Sequence, residues 1–171
     1  MNEMTAELMR LEKEAGYPFQ HIHAVGGFGW EWMPKLVEEK GVALDGNNSL
    51  FLHEYLYDMP TVMTAADIVI SRAGASSCNE IIASGTPCLL IPSPNVTDNH
   101  QEKNARALEA KGGAVVMLEK DCSAEAFYET VKGLLGDQER YNTMRRAQLD
   151  ISVPDSAERL CDIMESLIRN R

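Results

Sequence analysis

The sequence predicts an α/β domain in which a parallel sheet is covered by helices on both faces. Two observations carry that expectation: short apolar runs without alternation recur along the chain, and helical spacing follows most of them. Strands buried on both faces read as continuous apolar runs, whereas a half-exposed strand alternates. The punctuation is a third observation, since Gly16, Gly41, Gly85 and the pair Gly112 and Gly113 each close a helical segment.

The elements follow in order along 171 residues, 44% hydrophobic and 25% charged, a length and composition suited to one globular domain. Residues 3–15 place Met4, Leu8, Leu11 and Ala15 on one helical face, which Gly16 and Pro18 terminate. Residues 19–25 read as a short strand stopping at Gly26 and Gly27, and residues 31–40 return to helical spacing. The aromatic run 49–57 is strand-like, and Asp58, Met59 and Pro60 start a helix that reaches Ala66. Residues 67–71 form a strand, 72–75 a tight turn, 76–84 a helix and 87–91 the next buried strand. A polar loop over 92–99 leads into a helix over 100–111 and a final strand over 114–118. Three helices close the chain over 123–135, 137–149 and 155–169. The last carries an apolar stripe of Ala157, Leu160, Cys161, Met164, Leu167 and Ile168. No internal repeat, low-complexity tract or flexible linker interrupts this series.

A formal net charge of -10 argues against attraction to nucleic acid or to an anionic leaflet, so no nucleic-acid partner is expected. Any nucleotide is then held by local backbone dipoles. Cys78, Cys88, Cys122 and Cys161 lack metal-ligand spacing and read as reduced core thiols of a cytoplasmic protein. The amino-terminal residues match neither a signal nor a transit peptide, and no apolar run is long enough to span a bilayer.

In an open α/β sheet the ligand sits beyond the carboxyl ends of the strands, where the segments 54–58, 72–80 and 92–104 converge. Gly74 and its small neighbours Ala73, Ala75, Ser76 and Ser77 leave backbone N–H groups open at a helix start, which suits a diphosphate but also an ordinary turn. Glu80 has two readings. It completes an S-x-x-E capping box with Ser77, or it accepts the hydroxyls of a ribose whose diphosphate rests on the helix start. His100, Gln101 and Asn104 offer hydrogen bonds to sugar hydroxyls at the same edge, with a solvated His100 as the plainer alternative. Tyr55 and Leu56 flank a flat base or belong to the core. No catalytic residue is assigned: there is no G-x-S-x-G elbow for Ser76 or Ser77 and no base to activate them. No D-x-D pair is present, and neither metal nor cofactor is expected.

Residues 66–75, Glu80, Gly85 to Pro87 and residues 91–105 together resemble the donor-binding signature of the MurG-type transferases, with weaker likeness over nearly the whole chain. The resemblance implies the Rossmann-like carboxyl-terminal half of a GT-B glycosyltransferase. It implies inverting transfer of N-acetylglucosamine from UDP-N-acetylglucosamine to lipid I, giving lipid II in peptidoglycan synthesis. Glu80 would then hold the ribose hydroxyls, Ala75, Ser76 and Ser77 the diphosphate, and the Leu56 backbone the uracil edge, while His100 and Gln101 would face the sugar. Arg72 precedes the loop in the family pattern too, either touching ligand or neutralising a neighbouring acid. The family pattern also has an amino-terminal acceptor domain and a first strand with a Gly-Gly-Ser loop, and residues 1–171 are read as one donor-binding domain without them. The segment from Gly26 to Trp30, with its bulky aromatics, is no substitute for that loop. The expected location is cytoplasmic, with the full-length protein peripheral on the inner face of the bacterial plasma membrane. An open sheet edge and an uncovered last helix lead to an expected homodimer. A donor subunit of a split transferase and a non-catalytic nucleotide-sugar-binding module are the competing readings.

Overall fold

The computed structural model describes residues 1–169, so the last two positions of the domain expected over 1–171 lie outside the described residues. Helix α1 (Asn2–Glu14) leads to strand β1 (His21–Ala24), the one-turn helix α2 (Gly27–Trp30) and α3 (Met33–Glu39). Strand β2 (Leu50–His53) precedes α4 (Met59–Ala65), whose start follows from Asp58 accepting a hydrogen bond from the Thr61 N–H at 3.3 Å and from a proline in the first turn. Strand β3 (Val69–Ser71) then runs into α5 (Ala75–Ser84) and β4 (Cys88–Leu90). Helix α6 (His100–Ala110) and β5 (Val115–Val116) complete the sheet region. Helices α7 (Ala124–Gly136) and α8 (Gln138–Ile151), capped by Ser123 and Asp137, and α9 (Ser156–Arg169) close the chain. Gly85 ends α5 at φ +64°, and a Cβ there would also lie 2.8 Å from Leu149 Cδ2, so α8 packs against this turn closely.

The helix-and-strand alternation is as expected and the pairing is parallel throughout, but the strands form two sheets instead of one. β1 pairs with β2, His21 opposite Leu50, and β4 lies between β3 and β5. The sheets are joined through α1: Ala6 and Met9 pack with Val25, Met33, Val37 and Leu50, whereas Leu8 packs with Leu89, Ile91, Phe127 and Val131. A third cluster, around Ala73, Cys78, Ile81, Cys88 and Leu90, lies where α4, α5 and α6 meet the larger sheet.

Several expectations need correction. Helices do not cover both faces of the smaller sheet, because Ile22 and Phe51, paired in register, remain 50% and 38% exposed. Residues 27–30, between the expected strand and the helix expected from residue 31, form α2, with Trp30 N–H donating to the Gly26 carbonyl. The strand read over 49–57 is limited to residues 50–53, because β1 offers only four partners and the chain bends beyond them. Cys78 and Cys88 are buried, but Cys122 is half-buried and Cys161 exposed, since none of the described residues of α9 is buried.

A polar network pins α1 to β1. Asn2 Nδ2 donates to the Val25 carbonyl at 3.0 Å, which leaves its Oδ1 to accept from His23 Nε2 at 3.1 Å. His21 Nδ1 lies 3.0 Å from an oxygen of Glu12, a residue only 1% exposed. Burial pushes His23 down from the ordinary 6.5 to about 4, and the neighbouring His21 adds to the effect. The folded state therefore binds fewer protons than the unfolded chain between those values, so stability is full above pH 6.5 and falls as pH drops toward 4. Urea unfolding at pH 7.5 and at pH 5 should show a loss of about 1–2 kcal/mol, and His23→Gln should remove most of that loss. A pH dependence unchanged in the variant would rule out this assignment.

Candidate functional site

The carboxyl ends of β3, β4 and β5 meet at one edge, where α5 begins. Gly74 is the residue before the helix, with extended backbone at ψ 150°, and no side chain caps the first turn. The first helical bond runs from the Cys78 N–H to the Gly74 carbonyl at 2.9 Å, so the N–H groups of Ala75, Ser76 and Ser77 lie ahead of the helical ladder. Ala75 and Ser76 are exposed and Ser77 half-buried. The partial positive charge of a helix amino terminus is thereby presented to solvent at the strand edge.

The capping-box reading of Ser77 and Glu80 is overturned. The helix starts three residues earlier than that reading requires, so Ser77 is already inside it and Glu80 lies a further turn along, exposed. Its carboxylate is left available on the same helix as the free N–H groups. The reading of Tyr55 as core also fails, since Tyr55 is 65% exposed and stacks edge-on against the exposed Tyr57 at 5.0 Å.

Two amides from α6 fix the loops around this turn. Asn104 Nδ2 donates to the Ala73 carbonyl at 3.1 Å, and Gln101 Oε1 accepts from the Ser93 N–H at 2.9 Å. Ala73 has no exposure, so its carbonyl would otherwise be poorly satisfied. Asn104, expected to meet a sugar, ties this loop through its amide nitrogen. Gln101 keeps its amide nitrogen for a ligand. His100 is exposed, and because the Thr97 carbonyl 2.8 Å from its Nδ1 can only accept, Nδ1 is the donor in that bond.

Leu56 stands apart from these residues, for it follows β2 in the other sheet. Three positions later Met59 packs against the cluster containing Ala73 and Cys78, so α4 carries this segment toward the α5 edge. Arg72 is paired with an acid: its guanidinium donates to both carboxylate oxygens of Glu119, at 2.9 and 3.3 Å, and to the Ile91 carbonyl at 3.1 Å. The hydrogen bonds from Arg72 hold the Glu119 carboxyl below the usual carboxylate range. Sequence reasoning named no partner for Arg72, because Glu119 lies 47 positions away. The buried thiols of this region are disfavoured as thiolates, since burial pushes Cys78 up and Cys88, at the amino end of β4, up to about 12.

Among the described residues no group of three or more His, Cys, Asp or Glu side chains is placed to hold a metal ion, and no helix is long and apolar enough to cross a membrane. Two surface recesses, one beside Lys111 and Arg146 and one along Pro60 to Ala65, are lined by none of the residues above. The candidate site is an open edge, not an enclosed pocket.

Comparison with known proteins places the chain in a family. The chain is 37% identical over its full length to the UDP-N-acetylglucosamine–N-acetylmuramyl-(pentapeptide) pyrophosphoryl-undecaprenol N-acetylglucosamine transferase of Acetivibrio thermocellus, spanning 45% of that protein. It is 35% identical over 93% of its length to transferase 2 of the same name from Bacillus thuringiensis (strain Al Hakam), spanning 43% of it. The chain thus spans less than half the length of these relatives. Its fold is similar to that of Acinetobacter baumannii MurG, with a TM-score of 0.77 at 21% identity over 96% of this chain and 45% of that one. The calicheamicin glycosyltransferase CalG4 shares the fold as well, with a TM-score of 0.75 at 19% identity over 99% of this chain and 40% of that one. The model of the glycosyltransferase family 28 C-terminal domain matches residues 1–160, and the chain belongs to that family.

Proposed function

We propose that this chain is the donor-binding half of an inverting glycosyltransferase that moves N-acetylglucosamine from UDP-N-acetylglucosamine to lipid I, forming lipid II. The observation that carries the reading is the uncapped first turn of α5, flanked by Glu80, His100 and Gln101, in a chain related over its whole length to transferases of that name. The N–H groups of Ala75, Ser76 and Ser77 receive the diphosphate and stabilise it as it leaves, so the helix dipole does the work that a metal does elsewhere. Glu80 accepts the ribose hydroxyls, the Leu56 backbone reads the uracil, and Gln101 and His100 face the sugar. Lipid I is met by the part of the enzyme that these relatives have beyond this chain, at the cytoplasmic face of the plasma membrane. Wall growth, and with it cell shape and division, is the process served.

The reading predicts uracil selectivity. Calorimetric titration should give binding of UDP and UDP-N-acetylglucosamine, weak but above that of ADP; equal binding of ADP would count against it. Glu80→Gln should raise the UDP dissociation constant roughly fivefold, the difference between a charged and a neutral hydrogen bond. The melting temperature should hold, because Glu80 is exposed and caps nothing. The reverse pattern, lost stability with intact affinity, would remove Glu80 from the site.

Residues 1–171 alone should transfer no sugar to a lipid I analogue, since they supply donor contacts and no base beside an acceptor hydroxyl. The bare stripe of α9 and the open edges of the two sheets also favour a homodimer. A radiolabelled transfer assay with light scattering checks both, and turnover by a monomer would refute them.

A further inference from the structure

We infer that Arg72 is a positioning residue for the diphosphate-binding turn, acting through its clamp on Glu119 and the Ile91 carbonyl, and not a ligand of the donor. The inference rests on the donor-binding reading and adds a part to that site. Arg72 directly follows β3, Ile91 directly follows β4, and Glu119 lies three residues beyond β5. One planar guanidinium therefore ties the carboxyl ends of three parallel strands at the edge where α5 starts. Only arginine does this: its fork matches the carboxylate with two N–H groups, and one nitrogen also reaches the Ile91 carbonyl.

The backbone between clamp and helix is held at successive points. Ser71 Oγ donates to the Arg72 carbonyl at 2.9 Å, and Asn104 donates to the Ala73 carbonyl at 3.1 Å. With both carbonyls engaged and the Arg72 side chain fixed, Gly74 and the first turn of α5 have their direction set before any ligand arrives. An array of dipoles stabilises charge best when it is already oriented, because reorientation then costs nothing at the moment of binding. Glu119 meanwhile neutralises the arginine, so the anion meets helix N–H groups and not a free guanidinium.

Positioning and direct contact predict opposite effects of removing Glu119. UDP and uridine binding to the 171-residue chain would be followed by NMR titration for the unaltered protein, Arg72→Lys, Glu119→Gln and the double variant, with melting temperatures as the folding control. Positioning predicts that each single variant weakens UDP about tenfold, that the double variant is no worse than either, and that uridine binds as before. Should Glu119→Gln strengthen UDP binding while Arg72→Lys weakens it, Arg72 is an anion ligand and the inference falls. It falls as well if neither variant alters UDP binding, or if uridine is lost in parallel, which marks general loss of structure. Failure of the unaltered chain to bind UDP would instead overturn the donor-binding reading.

Discussion

The structure depends on one joint. The two sheets share no strand pairing, and α1 packs against both, with Ala6 and Met9 buried on the smaller sheet and Leu8 buried against β4 and α7. Apolar burial of this kind is strong, about 2 kcal/mol for a side chain such as Leu8, but it is not directional. Direction comes from the polar groups beside it. The Asn2 bond to Val25, the His23 bond to Asn2 and the Glu12–His21 pair fix how far α1 advances along β1. A buried carboxylate is costly without its partner, so a slipped register is penalised even where apolar contacts would re-form. The loops of the candidate site come from both sheets, and their relative placement is set by this joint.

At the carboxyl edge there is a division of labour between side chains and backbone. Asn104, Gln101 and Arg72 hold carbonyls and an N–H of the loops, and the backbone they fix is then free to present its own N–H groups outward. This arrangement suits a chain with a net charge of -10. Long-range electrostatics would repel a diphosphate from such a surface, so the recognition proposed above has to be local, from dipoles that act within a turn of the helix. The one arginine nearest the turn is already paired with Glu119.

Local signals in the sequence were read well where local chemistry decides the outcome. The Asp58 cap with Pro60 behind it, and Gly85 closing α5, fall where spacing puts them. Ser77 and Glu80 show the limit of the same method. Their spacing satisfies a capping box, yet the extended backbone of Gly74 starts the helix earlier, in a turn tied from α6 by an asparagine 31 residues beyond Ala73. The role of Arg72 was equally out of reach, since two acceptors 19 and 47 positions away define it. Spacing picked out residues with ligand-like chemistry, but it could not separate exposed ones, such as Glu80, from those that brace the loops, such as Asn104, nor show that Leu56 follows a strand of the other sheet.

Helix α9 shows the difference between a periodic pattern and a stabilised element. The sequence shows a full apolar stripe here, and the helix forms over Ser156–Arg169, yet Leu160, Ile163, Met164, Leu167 and Ile168 are each more than half exposed. The ion pairs Arg159–Asp155 and Arg169–Glu165 lie on the solvent side and contribute only tenths of a kcal/mol each. A helix of 14 residues is marginal in water without burial of its apolar face. Periodicity reports which side of a segment would be buried and carries no information on what buries it, so amphipathic order in α9 is energetically tied to a surface beyond its own contacts. The same holds for Ile22 and Phe51, whose face of the smaller sheet is apolar without a covering layer.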